Sequence, residues 1–148
     1  MTPPPPLSSE TLHASSVAKD GRAILICGPS GAGKSDLSLQ LLDRGFQLVS
    51  DDRTVVRRDG ERLIASAPAR IAGKLEIRGI GIVDVEPVSE VRVSLIVELT
   101  GDIERLPDEG RSRPILGVEL PMVSVDAKTA SAASKVTIAL DRFGLPAA

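Results

Sequence analysis

The sequence predicts an α/β domain, one mixed β-sheet with few helices, and three observations carry that expectation. Ala23–Cys27 is a short, continuous apolar run, the pattern of a strand covered on both faces. A glycine-rich turn follows it and opens into Ser35–Arg44, where Leu37, Leu39, Leu41 and Leu42 give a helix a broad apolar face. Beyond Asp51-Asp52 the punctuation becomes β-rich, with short alternating runs set between turn residues.

Taken in order, residues Met1 to Glu10 are rich in Pro and Ser without apolar periodicity and read as a loose arm, leaving 11–148 as one domain. Gly45 is placed to cap the helix at its C-terminus, and Phe46–Ser50 is a second buried strand. Thr54–Arg57 and Arg62–Ser66 flank Asp59-Gly60, a hairpin signal. Further strands are expected at Gly81–Val85, Val91–Leu99 and Val118–Val125. Thr129–Arg142 then has helical spacing at Ala133, Val136, Ile138 and Leu140. No repeat is present, so a regular βαβ array is not expected.

Composition narrows the function. Of 148 residues 42% are hydrophobic and 26% charged, an ordinary globular balance. Aromatic residues make up only 1%, so the core is aliphatic and no stacking platform for single-stranded nucleic acid is available. A net charge of −2 offers no basic field to draw in DNA or anionic lipid. No apolar run approaches the roughly 20 residues that span a bilayer, and the N-terminus has no signal pattern, so a cytoplasmic location is expected. The single cysteine, Cys27, ends an apolar run and reads as a small hydrophobe.

The segment Gly28-Pro29-Ser30-Gly31-Ala32-Gly33-Lys34-Ser35 meets every fixed position of G-x-x-x-x-G-K-[ST], between an apolar strand and an amphipathic helix. Glycines let consecutive N–H groups curl round a phosphate, and the helix start directs its positive dipole end at the anion. Lys34 adds a mobile cation for the outer phosphates, and the Ser35 hydroxyl is a hard oxygen donor for Mg²⁺. The loop therefore points to ATP with Mg²⁺. Asp51-Asp52 closes the next strand, where one carboxylate suits Mg²⁺ and the other suits a proton acceptor for a nucleophile. Kinases and ATPases both need these parts, so the reaction class stays open at this point.

Lys74–Val85 reads KLEIRGIGIVDV, which sets Glu76 and Arg78 on one face at period two. Spacing alone favours a surface strand whose Glu and Arg pair with each other. The string nevertheless resembles the LEIRG-[IL]-G-I signature of the bacterial HPr kinase/phosphorylase family. Three other stretches agree in order: GPSGAGKS running into RGFQLVSDDR, His13 placed 15 residues before Gly28, and Glu104-Arg105-Leu106.

The resemblance covers Leu12 to Arg142. It implies a P-loop fold with a sheet like that of phosphoenolpyruvate carboxykinase, and transfer from Mg²⁺-ATP to a serine of the phosphocarrier HPr. Reverse phosphorolysis by inorganic phosphate and a regulatory role in the phosphotransferase system are implied with it. By the same resemblance Gly28–Ser35 holds the phosphates, Ser35 and Glu76 bind Mg²⁺, and His13, Lys34, Arg78 and Arg105 belong to the active site. One of Asp51 and Asp52 is the proton acceptor, with Asp52 preferred. A homo-oligomer, hexameric in the family, is also implied, in a compact form without the separate N-terminal domain of longer members.

Three departures stand out. Glu86-Pro87-Val88-Ser89-Glu90 is a short crossing where many members have a glycine-rich loop tied to substrate contacts and assembly. Near the C-terminus only Lys128 aligns with the segment tied to phosphorolysis, and the chain has less C-terminal helix than longer members. The rival readings are an ATP-sensing module without transfer activity and a small-molecule kinase on the same scaffold.

Overall fold

The computed structural model describes residues 8–103 and 111–148. Eleven strands and two α-helices occur there: β1 Ser9–Leu12, β2 Ala14–Lys19, β3 Arg22–Cys27, α1 Lys34–Leu42, β4 Gln47–Ser50, β5 Thr54–Asp59, β6 Arg62–Ser66, β7 Lys74–Ile77, β8 Gly81–Asp84, β9 Val91–Leu99, β10 Ser112–Ile115, β11 Val118–Val125 and α2 Ala132–Phe143. Nine strands form one mixed sheet in the order β1-β5-β6-β9-β3-β2-β4, with β11 also on β9 and β10 on β11. The hairpin β7–β8 is a separate two-stranded ribbon. An α/β domain with a mixed sheet and few helices is what the residue pattern predicted.

The long strand β9 organises the sheet. One edge pairs in parallel with β3, while the other pairs with β6 at its start and with β11 at its end. Val91 and Val93 face one core cluster, whereas Leu95, Val97 and Leu99 face the other. Residues of the same parity change faces because the register against β3 shifts at Ser94, a β-bulge that re-phases the strand. Both helices cover one face: Leu37 and Leu41 of α1 and Val136 and Leu140 of α2 pack on Ile24, Ile26, Leu95 and Val97. The other face is closed by the sheet's own strands, through Val56, Leu63, Ile115 and Leu120. The single cysteine is half-buried beside that second core, and burial pushes the Cys27 thiol upward, partly offset by Arg113.

Strand β2 decides where the site lies. It runs antiparallel to both β3 and β4, so β3 and β4 point the same way and end on one edge. Its turn is Asp20-Gly21, both at positive φ (53° and 76°), the two-residue type that suits an Asp-Gly pair. The sequence reading did not include β2, because Ala14-Ser15-Ser16-Val17-Ala18 has no alternation; all five residues are buried.

The loose arm drawn through Glu10 also needs correction. Ser9 and Glu10 pair with Arg57 and Val56 as part of edge strand β1. Three of its four residues are exposed, so backbone pairing forms it without an apolar signature. The short crossing after β8 is tied down, with Pro87 bridged to Leu48 and Arg57 donating to the Glu90 carboxylate at 2.6 Å.

Leu95 is fully buried between β9 and the helices. Leu95→Ala is expected to lower unfolding free energy by about 2–5 kcal/mol in urea titration. Ile80→Ser, at a residue 76% exposed, should stay within about 0.5 kcal/mol of the parent.

Candidate active site

The glycine loop leaves β3 and enters α1 through Gly33, whose φ of 101° is left-handed. A Cβ there would also stand 3.1 Å from that of Ala127, a tight contact, so packing as well as backbone conformation favours glycine. Among the described residues no side chain caps the helix start, which leaves its first-turn amides for an anion. Lys34 is only 7% exposed, and its Nζ donates to the carbonyls of Gly28 (2.8 Å) and Pro29 (3.2 Å). Those two carbonyls hold the ammonium over the loop.

Asp51 and Asp52 sit at the end of β4 on the same sheet edge, with β2 between them and the loop. Asp51 is 7% exposed and lies behind the cleft wall. Its Oδ1 accepts from the Ser35 hydroxyl at 2.7 Å and from Ser15 at 3.1 Å, and its Oδ2 accepts from the Glu76 amide at 3.1 Å. Asp52 is exposed, and its Oδ1 lies 2.7 Å from His13 Nε2. The chain turns sharply here: the Arg53 amide donates to the Asp51 carbonyl at 2.7 Å, and Asp52 has φ 67°. A turn of this reach with a positive-φ residue at its centre is strained, and such backbone persists where its surroundings enforce it.

A cleft of about 250 Å³ gathers these parts. Ser30, Gly31, Gly33, Lys34 and Ser35 of the loop line it together with Asp52, Glu76 and Arg78. Glu76 and Arg78 form no ion pair with each other among the described residues, so the surface-pair reading favoured by their spacing does not hold. Arg105 lies outside the described residues. Among the described residues, His13 meets the site through its contact with Asp52.

The donor set near Ser35 suits Mg²⁺: a hydroxyl, the Glu76 carboxylate in the same cleft, and Asp51 behind Ser35 are all hard oxygens. No group of three or more His, Cys, Asp or Glu is gathered among the described residues. Ligands from phosphate and water would therefore complete a Mg²⁺ shell here, which is how that ion is usually held.

Two residues at the site escaped the sequence reading. Asp36 lines the cleft at the start of α1. Ser15 bonds to both aspartates, accepting the Asp52 amide at 3.0 Å while donating to Asp51. Asp20-Gly21 was the signal that could have revealed β2, and with it Ser15 two positions after His13.

A strand-loop-helix phosphate loop, with an acidic turn at the end of the next parallel strand, defines a P-loop domain. The chain belongs to the family described as HPr Serine kinase C-terminal domain, whose model matches residues 7–141. An HPr kinase/phosphorylase of Limosilactobacillus reuteri (strain DSM 20016) is 41% identical over 133 residues, covering 81% of this chain and 42% of that protein. One from Chlorobium phaeobacteroides (strain BS1) is 40% identical over 126 residues, covering 76% and 37%. The chain thus spans about two fifths of the length of these curated relatives. The solved Hpr(Ser) kinase/phosphatase of Coxiella burnetii superposes with a TM-score of 0.77 at 31% identity, over 90% of this chain and 95% of that one.

Asp51→Ala would leave the Glu76 amide and two hydroxyls without their acceptor. It is expected to lower stability by about 1–3 kcal/mol, more than Asp52→Ala, when both are followed by thermal unfolding.

Proposed function

We propose that this domain transfers the γ-phosphoryl group of ATP to a serine hydroxyl of an HPr-type phosphocarrier, in a Mg²⁺-dependent reaction. What supports the reading is family membership, the names its relatives carry, and above all one observation: Asp52, held 2.7 Å from His13, lines the same cleft as the phosphate loop. The loop amides and Lys34 bind the β- and γ-phosphates. Asp52 accepts the proton of the serine hydroxyl as its oxygen bonds to the γ-phosphorus and the bond to ADP breaks. His13 orients that carboxylate. Arg78 and Arg105 supply positive charge to the phosphoryl group in transfer. Ser35 and Glu76, with Asp51 behind Ser35, would hold the Mg²⁺, which would supply positive charge against the phosphates.

Run backward, inorganic phosphate takes the nucleotide's place at the loop and attacks phosphoserine. Asp52 returns its proton to the serine oxygen, and pyrophosphate leaves. In this reading the protein is a cytoplasmic homo-oligomer that regulates a phosphotransferase system. Its catalytic domain, drawn from the sequence as residues 11–148, takes in Ser9 and Glu10 as well, since both pair with β5.

The test combines the protein with ATP, Mg²⁺ and the phosphocarrier of the same organism, scoring phosphoserine by mass spectrometry. Lys34→Ala is expected to slow transfer by about a hundredfold or more. Asp52→Asn should bind nucleotide and transfer nothing, and EDTA should stop the wild type. Absence of phosphoserine, or full activity in Lys34→Ala, overturns the proposal. Nucleotide binding with no transfer to any acceptor would point to a sensing module, the reading favoured by the short crossing at Glu86–Glu90.

A further inference from the structure

We infer that Ser15 is a positioning residue of the site, the group that sets Asp51 and Asp52 in their separate orientations. The hydroxyl of Ser15 is fully buried on β2, a strand that none of the loop or acidic motifs includes. It donates its proton to Asp51 Oδ1 at 3.1 Å and accepts the Asp52 amide at 3.0 Å. A single oxygen thus holds the side chain of one aspartate and the backbone of the next.

Both contacts matter because of the turn between them. Asp52 has φ 67° at the centre of a three-residue turn closed by Arg53 N–H to Asp51 C=O. Released from its neighbours, a non-glycine residue leaves that conformation, and its carboxylate swings with it. The Ser15 hydroxyl supplies the acceptor that the Asp52 amide has in this turn, and His13, in the bend just before β2 begins, brings its ring to the Asp52 carboxylate. Strand pairing therefore fixes Ser15, and the bend that leads into the same strand brings His13 to the exposed aspartate. The next hydroxyl, Ser16, is also buried but bonds to Thr54 and is not among the partners of either aspartate. It provides the internal control.

The inference deepens the proposed function and rests on it only for kinetics. His13 is the single histidine of the chain, so its ring resonances in an NMR spectrum report the contact to Asp52 without assuming any activity. Ser15→Ala is expected to move the His13 ring signals toward those of Asp52→Asn, while Ser15→Thr, which keeps a hydroxyl, and Ser16→Ala retain the wild-type signals. In the phosphorylation assay Ser15→Ala should lower kcat by about tenfold or more with the KM for Mg²⁺-ATP little changed, as expected when a reacting group is misplaced and substrate binding is not.

Unmoved His13 signals in Ser15→Ala overturn the inference, as does an equal displacement in Ser16→Ala or a failure of Ser15→Thr to restore the signals. Loss of activity through KM alone overturns it as well. Should the wild type phosphorylate nothing, the proposed function fails while the His13 signals still decide the role of Ser15.

Discussion

The carboxylate of Asp51 accepts hydrogen bonds from three separate parts of the chain: Ser15 on β2, Ser35 on the first turn of α1 and the Glu76 amide on β7. It lies almost out of reach of solvent, where an unpartnered carboxylate is strongly unfavourable. Hydrogen bonds to a charged group each contribute about 1.5–3 kcal/mol, so the three donors and the carboxylate stabilise one another as a set. The consequence is geometric. The phosphate loop, the end of β4 and the signature hairpin cannot move far apart without stranding a buried charge.

That arrangement depends in turn on strand order. Because β2 lies between β3 and β4 and opposes both, the two strands end on one edge, with Gly28 beyond one and Asp51 beyond the other. Ligand sites of open α/β sheets gather at such carboxyl ends, where loops and helix starts are free to face outward. The bulge at Ser94 serves the same end from inside the sheet. Without it, the second half of β9 would turn Leu95, Val97 and Leu99 away from the helices.

Some elements were legible because their signals are local. Val91–Leu99 and Val118–Val125 match the sequence expectation at both ends, since each is an apolar run bounded by turn residues. The helix after the loop follows from side-chain spacing but ends earlier than expected, at Leu42 with Asp43 as its C-cap, and left-handed Gly45, at φ 90°, closes the turn beyond it by donating its amide to the Leu42 carbonyl. Other elements left no such trace. Strand β1 is an exposed edge, and β10 runs Ser-Arg-Pro-Ile, so backbone pairing with a neighbour forms both. Strand β2 is buried but made of small residues whose pattern carries no period. Arg58, expected outside its strand, lies within β5, and the hairpin turn falls at Gly60-Glu61 because Asp59 pairs with Arg62.

The sequence by itself determined the parts whose chemistry lies within a few consecutive residues: a glycine loop that can take positive φ, a lysine and serine at the helix start, two adjacent aspartates, and a glutamate and arginine at period two. Only the tertiary structure decided how those parts divide the work. It buried Asp51 against Ser35 and left Asp52 exposed beside His13, and it set both Glu76 and Arg78 in the cleft lining without an ion pair between them among the described residues. The physical reason is that burial and hydrogen-bond partners are set by strand pairing across dozens of residues. Ser15 stands 36 positions before the carboxylate it holds, and only the strand order brings the two together.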